Sequence, residues 1–243
     1  MTYCVGLKLN RGLVFMSDTR TNAGLDNIST YRKMFTWVDD GESMITMMTA
    51  GNLATTQAVV SMIDERHKAP SNRSPAILGF PSMFQVARYV GQTLKEVIGA
   101  HSENGERAES YFNATIIIGG QVKGSEPRLF LIYPEGNFIE AGEDTPFLQI
   151  GEFKYGRPIL VRAFDPDMSF EAALKLLLVS FDSTIKANLS VGLPLDLQIY
   201  ERDSLRKGLS RRIKGNDAYF QTISHGWGDA LKQAFDSLPD LVL

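Results

Sequence analysis

The chain has 243 residues and a net charge of −3, with 44% hydrophobic and 22% charged residues. These values are typical of a globular protein, and the absence of any run of 18 apolar residues argues against a membrane-spanning helix. The most basic stretch, residues 206–214, holds five Lys or Arg with few aromatic residues between them, so it is interpreted as a solvated face. We therefore expect no nucleic-acid partner and no membrane partner.

The N-terminal third of the sequence predicts β-strands. Residues 3–9 and 13–17 flank the turn 10–12 and predict a hairpin. Further strands are predicted at 33–38 and 43–50. The run of Met44, Ile45, Met47 and Met48 in the last of these indicates burial on both faces.

Helical periodicity begins after Gly51 and predicts helices at 53–68 and 82–100, separated by a loop at 69–81. A polar segment at 102–110 is predicted to be a mobile loop. Strands are predicted at 113–119, 128–133 and 138–141, followed by a helix at 169–187 capped by Ser169. In the C-terminal part, a strand is predicted at 195–200 and a partly helical segment at 216–238.

Runs of strands thus alternate with runs of helices, which favours an α+β class with antiparallel sheets over a parallel doubly wound sheet. No convincing linker divides residues 1–243, so a single domain is expected. A four-layer α-β-β-α sandwich is one of several architectures compatible with this order.

The N-terminus offers a candidate nucleophile, because Thr2 follows Met1 and a small second residue permits removal of the initiator methionine. A free N-terminal threonine carries a hydroxyl nucleophile and an α-amine that can act as its base. An α-amine titrates at about 7.7–8.0, near working pH, whereas lysine titrates near 10.4. Many proteins begin with Met-Thr, however, so this feature alone is weak.

Catalysis by such a threonine requires a nearby cation, a carboxylate that holds the cation, and backbone N–H groups that stabilise an oxyanion. Asp18 ends the second predicted strand, and Lys33 opens the third. Gly51 lies where a strand passes into a helix, a place where N–H groups can point outward. Taken singly, each is ordinary: a turn aspartate, a surface lysine and a helix-entry glycine. The sequence offers no Cys/His cluster with zinc spacing and no phosphate-binding glycine loop, so neither metal nor cofactor is expected.

Several segments together resemble proteasome β-subunits in order and spacing. They are Thr2-Tyr3-Cys4-Val5-Gly6, Ser17-Asp18-Thr19-Arg20, Lys33, Ala50-Gly51-Asn52-Leu53-Ala54, Glu171-Ala172-Ala173-Leu174 and Ser190-Val191-Gly192. The chain looks most similar to the bacterial proteasome-like ancestral β-subunit group, Anbu. This resemblance implies the α-β-β-α sandwich of N-terminal nucleophile hydrolases and assembly into large ring or spiral homo-oligomers.

The resemblance also implies a role for individual residues. Thr2 would be the nucleophile, Lys33 would lower the pKa of its amine, and Asp18 would pair with Lys33. The Gly51 N–H would line the oxyanion hole, and Ser190 would match a serine near the amine. The substrate-binding pocket would be formed by Thr21, Tyr31, Phe35, Thr49 and Leu53.

Two positions depart from the β-subunit pattern. Gly151-Glu152-Phe153 stands where Gly-Ser-Gly is common, and Ala187, followed by Asn188, stands where an aspartate is expected. By the same resemblance a helper serine is missing, while the Thr2, Asp18 and Lys33 set is intact.

The expected function is therefore a threonine-type peptidase that hydrolyses peptides or unfolded proteins. Two alternatives stay open: an N-terminal nucleophile amidase acting on small amides, and a non-catalytic scaffold subunit. The single Met1 before Thr2 favours the peptidase, since such amidases often carry longer propeptides.

The lone cysteine, Cys4, and the absence of a signal-peptide pattern indicate a cytoplasmic protein. An unfoldase partner cannot be named from the sequence. Extra apolar residues on the helices at 82–100 and 169–187 are expected to contact neighbouring subunits, as is the apolar C-terminal segment. These residues are Phe84, Tyr89, Val90, Leu176, Leu177, Leu178, Phe181, Phe235, Leu238 and Leu241.

Overall fold

The computed structural model of the chain describes residues 2–22, 28–69, 75–101 and 112–242. The strands are β1 (Tyr3–Leu9), β2 (Gly12–Asp18), β3 (Arg20–Asn22), β4 (Ile28–Thr30), β5 (Met34–Asp39), β6 (Ser43–Gly51), β7 (Ala114–Val122), β8 (Arg128–Ile132), β9 (Phe138–Glu140), β10 (Phe147–Gly151), β11 (Leu195–Glu201) and β12 (Ser210–Ile213). The helices are α1 (Leu53–Lys68), α2 (Met83–His101), α3 (Arg157–Ala163), α4 (Phe170–Ala187) and α5 (Ala218–Asp236).

Two five-stranded antiparallel sheets form the centre of the fold. The first has the strand order β10-β1-β2-β11-β12 and the second the order β5-β6-β7-β8-β9. β3 and β4, which lie between β2 and β5 in the chain, form a separate two-stranded ribbon. Every strand pair within the two sheets is antiparallel, as the strand-then-helix order predicted.

Alternation of side chains along the strands produces three apolar layers. In β2, Phe15 points to the facing sheet whereas Met16 points to the helices α3, α4 and α5. In β6, Met48 meets the first sheet whereas Met47 packs beneath α1 and α2. Because each sheet is apolar on both faces, the fold is the four-layer α-β-β-α sandwich, which confirms the predicted class and the predicted burial of both faces of β6.

The helix boundaries follow from local capping. The Asn52 side chain accepts a hydrogen bond from the Thr55 N–H and begins α1. Ser169 accepts from the Ala172 N–H at 3.1 Å and begins α4, so the predicted cap is confirmed. None of the described helices is long and apolar enough to cross a membrane.

Among the described residues, four strands and one α-helix were not predicted: the strands β3, β4, β10 and β12 and the helix α3. Each strand among them has five residues or fewer, which is too short for period-two alternation to stand out. The predicted loop 102–110 lies outside the described residues, as does part of the loop 69–81.

The expectation that α2 and α4 offer spare apolar faces to a neighbour is wrong for most of the residues named. Tyr89 and Val90 of α2 are buried in this chain's own core, as are Leu177, Leu178 and Phe181 of α4. Both helices contact a sheet on one side and another helix on the other, so the whole of a wide apolar stripe is buried within one chain. Four of the residues named are substantially exposed. They are Phe84 in α2, Phe235 in α5, and Leu238 and Leu241 after α5.

Candidate active site

One end of the sandwich gathers the ends of five strands. β1 begins beside the end of β2 and the end of β10, as the register pairs Cys4 with Ser17 and Tyr3 with Gly151. In the second sheet, β5 begins beside the end of β6, and the Thr49 N–H donates to the Lys33 carbonyl at 3.0 Å. The segments bearing Thr2, Asp18, Lys33 and Gly51 are thus brought together from both sheets.

Asp18 links these segments through its carboxylate. Its Oδ1 accepts the Tyr3 N–H at 3.0 Å and the Lys33 ammonium at 2.7 Å, and its Oδ2 accepts the Gly192 N–H at 3.4 Å. Burial raises the pKa of the Asp18 carboxyl, and the Lys33 ammonium together with the two amides opposes that rise. One side chain therefore fixes the backbone after Thr2, a buried cation and the loop before β11.

Lys33 is buried although it is charged, being only 4% exposed. Besides its ion pair with Asp18, its ammonium donates to the Arg20 carbonyl at 2.6 Å. A lysine this deeply buried is held by partners on two sides, so its Nζ has a defined position at the cleft.

Thr2 is held through its carbonyl. The Glu152 N–H donates to the Thr2 carbonyl oxygen at 2.6 Å. The preceding Gly151 has φ +83°, and a Cβ at that position would overlap the same oxygen. Glycine is required there both by the left-handed backbone and by the close approach of Thr2.

A cleft of about 220 Å³ opens at Thr2, and we name it the threonine cleft. Its lining includes seven of the ten predicted site residues, namely Thr2, Thr21, Lys33, Phe35, Thr49, Gly51 and Leu53. Thr2 itself is 7% exposed. The cleft therefore places a hydroxyl, a cation and apolar side chains around one small volume.

Gly51 ends β6 and borders the cleft with φ +114°. A Cβ there would lie 2.7 Å from the Cα of Ala114 in the neighbouring strand. The position thus demands glycine, and it keeps the end of β6 open where the strand passes into α1.

Three predicted residues lie outside the lining of the threonine cleft. Asp18 is fully buried behind Lys33. Tyr31 is 38% exposed, and its N–H is bound to the Thr19 carbonyl. Ser190 follows α4, and its N–H donates to Asn188 Oδ1 at 2.9 Å.

One of the two departures from the β-subunit pattern, Glu152, contacts Asn188, the residue that follows the other departure, Ala187. Asn188 Nδ2 donates to Glu152 Oε2 at 3.1 Å, while its Oδ1 accepts the Ser190 N–H. Glu152 also holds Thr2 through its backbone, so a chain of contacts runs from Thr2 to the loop 188–192. We call this set, Glu152, Asn188 and Ser190, the Glu152 relay.

Sequence reasoning missed four lining residues, Arg32, Ala50, Thr56 and Gln57, and the Gly192 amide on Asp18. Arg32, Ala50 and Thr56 could have been inferred as neighbours of predicted residues in the strands and the first turn of α1. The Gly192 contact spans 174 residues of chain, and no local pattern signals it. No group of three or more His, Cys, Asp or Glu side chains within the described ranges is placed to hold a metal ion.

Comparison with known proteins agrees with this fold. A family model described as proteasome subunit matches residues 2–192. Proteasome subunit beta 2 of Pyrobaculum calidifontis is 21% identical over 203 residues, which cover 84% of this chain and 90% of that subunit. The span matched by the family model, residues 2–192, contains the candidate site residues and ends just before β11.

Solved structures of Anbu proteins are similar to this chain over nearly its whole length. Anbu from Yersinia bercovieri is 45% identical with a TM-score of 0.92, covering 99% of this chain and 100% of that one. Anbu from Hyphomicrobium sp. strain MC1 is 48% identical with a TM-score of 0.91 and the same coverage. The Anbu complex from Pseudomonas aeruginosa, solved as a helical assembly, is 44% identical with a TM-score of 0.91, covering 99% and 98%.

The sandwich and the strand-end cleft define a proteasome-like N-terminal nucleophile hydrolase fold. The chain belongs to the proteasome subunit family, and its full-length likeness places it in the Anbu, or ancestral β-subunit, group.

Proposed function

We propose that this chain is a threonine-type peptidase in which Thr2, freed by removal of Met1, attacks peptide bonds. The observation that carries the proposal is the shared oxygen of Asp18, which accepts both the amide following Thr2 and the Lys33 ammonium. In this proposal the arrangement keeps the Lys33 cation close to the backbone that bears the α-amine of residue 2. It serves no evident purpose in stability, because burying a charge is costly.

In the proposed reaction, Thr2 Oγ1 attacks the scissile carbonyl carbon and its proton moves to the α-amine. The Lys33 ammonium disfavours a second positive charge nearby, so it keeps the amine free to take that proton. The Gly51 N–H stabilises the tetrahedral oxyanion. The C–N bond then breaks as the amine returns the proton to the leaving group, and an ester remains on Thr2.

Water completes the cycle. The α-amine takes a proton from water, and the hydroxide formed attacks the ester carbonyl. The ester C–O bond then breaks as the amine returns that proton to Thr2 Oγ1, which leaves as the free hydroxyl. The products are a carboxylic acid and an amine, and the enzyme returns to its starting state. No metal or cofactor enters any step.

For the acyl side of the substrate we propose the threonine cleft, with Phe35 and Leu53 as its apolar walls and Thr21 and Thr49 at its polar edges. Tyr31 and Ser190 stay expectations from the resemblance, Tyr31 in this pocket and Ser190 near the α-amine.

The test is a peptide panel assayed with wild type, Thr2→Ala and Thr2→Ser. We expect Thr2→Ala to abolish hydrolysis while leaving fold and assembly intact, and Thr2→Ser to keep partial activity. Mass spectrometry of the native N-terminus should show that Met1 is removed. Equal hydrolysis by wild type and Thr2→Ala would refute the assignment and leave the scaffold alternative.

We also propose that the chain forms a large ring or spiral homo-oligomer that limits access of substrates. The Pseudomonas aeruginosa Anbu complex was solved as a helical assembly, and Phe235, Leu238 and Leu241 are 75%, 66% and 82% exposed in this chain. Such apolar exposure at one end suits a subunit contact. Light scattering after size-exclusion chromatography should give a mass well above the 27.0 kDa of one chain. A monodisperse monomer at micromolar concentration would contradict the proposal.

The buried, unpaired thiol of Cys4 fits a reducing compartment, and we propose the cytoplasm as the location. We further propose that residues 1–243 act as one domain, since β11 pairs with β2 in the first sheet.

A further inference from the structure

A second cleft lies on the other side of Gly51. Its volume is about 430 Å³, and its lining includes Leu131, Tyr133, Ile150 and Phe153 together with Gly51 and Gly151. Cavities that bind small organic groups have volumes of about 300–1,000 Å³ and mostly apolar linings. We name this space the second cleft.

The second cleft reaches Thr2 through its two glycines. Gly51 lines both clefts, and a Cβ on Gly151 would lie 3.3 Å from Thr2 Cβ. Because glycine has no side chain, Gly51 and Gly151 do not block the space between the second cleft and Thr2.

The lining of the second cleft is mainly apolar, although Asn113, Thr115 and Gln149 also belong to it. Ile150 is buried, Leu131 is half-buried, and Phe153 is 45% exposed. A large aromatic side chain kept this exposed beside an apolar wall offers a surface that a ligand can cover.

From this geometry we infer that the second cleft binds an apolar side chain of the substrate on the leaving-group side of the scissile bond. The inference rests on the proposed function. A substrate whose scissile carbonyl oxygen meets Gly51 has its acyl part in the threonine cleft. The peptide that departs as the amine then continues past Gly51 and Gly151 into the second cleft.

Hydrolysis of matched peptides tests the inference. Two internally quenched peptides share one acyl half and differ only in the first residue after the scissile bond, Leu or Gly. Burial of a leucine side chain should favour the Leu peptide in kcat/KM by about tenfold or more. Phe153→Ala should remove most of this preference, and Phe153→Leu should restore part of it.

Tyr155→Ala is the matched control, because Tyr155 is 44% exposed, lies two residues away and does not line the second cleft. It should leave both rates and their ratio unchanged. Equal rates for the two peptides, or a Phe153→Ala effect that is the same for both, would overturn the inference while leaving Thr2 chemistry intact.

A binding measurement separates this inference from the peptidase proposal. Fluorescein-labelled versions of the two peptides are titrated with Thr2→Ala protein, and anisotropy reports the Kd without hydrolysis. The Leu peptide should bind more tightly, and adding Phe153→Ala should weaken it selectively. If neither peptide is hydrolysed by wild type, the proposed function fails and the anisotropy result decides the second cleft alone.

Discussion

Two ion pairs of similar length show how differently this fold uses charge. Lys33 and Asp18 lie 2.7 Å apart with side chains 6% and 0% exposed, whereas Arg128 binds Glu140 between β8 and β9 with side chains 30% and 35% exposed. An exposed pair of this kind contributes little to stability, and a buried pair is often worse than an apolar substitute. The buried pair is therefore explained better by the proposed role of Lys33 beside Thr2 than by stability.

The pKa directions point the same way. Burial raises the pKa of Asp18, while the hydrogen bond from Arg128 lowers the pKa of Glu140. Ionisation of the Asp18 carboxyl therefore lowers the stability of the fold, whereas ionisation of the Glu140 carboxyl raises it. Both carboxylates nevertheless lie beside a cation.

Removal of the buried cation should produce the largest effect. Lys33→Ala should lower kcat/KM by at least about a thousandfold, because residues that act as one catalytic unit fail together. Lys33→Arg should not restore activity, since a forked guanidinium does not fit the position between Asp18 and the Arg20 carbonyl. Steady-state assays on the peptide panel measure both variants.

Arg128→Ala is the control from the exposed pair. It should keep full activity and change the free energy of unfolding by no more than about 1 kcal/mol. A Lys33→Ala protein that hydrolyses peptides at the wild-type rate would place the catalytic cation elsewhere and would remove the contrast between the two pairs.

Loss of the Glu152 relay should have an intermediate effect. Asn188→Ala removes the hydrogen bonds to Glu152 and from the Ser190 N–H. The loop 188–192 then no longer has this side-chain connection to Glu152, the residue whose backbone binds Thr2. We expect kcat to fall about tenfold to a hundredfold through misplacement of Thr2, with KM less affected.

Glu152→Gln separates charge from position. It keeps an acceptor for Asn188 and removes the carboxylate, so a purely positional role predicts near wild-type kcat. If Glu152→Gln shifts the pH profile of kcat/KM while Asn188→Ala leaves kcat unchanged, the relay acts through charge and the positional account is wrong.

Much of the fold could be predicted because long elements have strong local patterns. α1 was predicted at its observed bounds, and β6 within one residue, since a change from period two to period 3.6 occurs at Gly51. β10 and α3 escaped prediction because short elements are stabilised by neighbours distant in the chain.

The candidate site, too, has a part that local patterns predict and a part that depends on distant contacts. Thr2, Lys33 and Gly51 could be located through their positions at strand ends, and they line one cleft. The meeting of Glu152 with Asn188, and of Gly192 with Asp18, depends on how the loop after α4 folds back. No local sequence pattern encodes that path, so the contact between Glu152 and Asn188, the residue after Ala187, could not be predicted from the sequence.

The smallest expected effect is a difference in how the two carboxylates link stability to pH. The native pKa of Asp18 is raised, so the native state retains a proton that the unfolded chain has lost. Stability of wild type relative to Asp18→Asn should therefore fall as pH rises above the ordinary aspartate value of about 3.9 and through the native pKa. For Glu140 the native pKa is lowered, so its contribution is present above about 4.3 and is lost as pH falls through the native value.

Urea unfolding of wild type, Asp18→Asn and Glu140→Gln between about pH 3 and pH 7 measures these slopes, at one protein concentration because self-association adds to apparent stability. The wild-type advantage over Asp18→Asn should shrink as pH rises, whereas the advantage over Glu140→Gln should grow. The Glu140 change should be the smaller in size, since solvent screens a pair that is one-third exposed. Slopes of the same sign would mean that Lys33 more than compensates the burial of Asp18, and the buried pair would then be explained by stability alone.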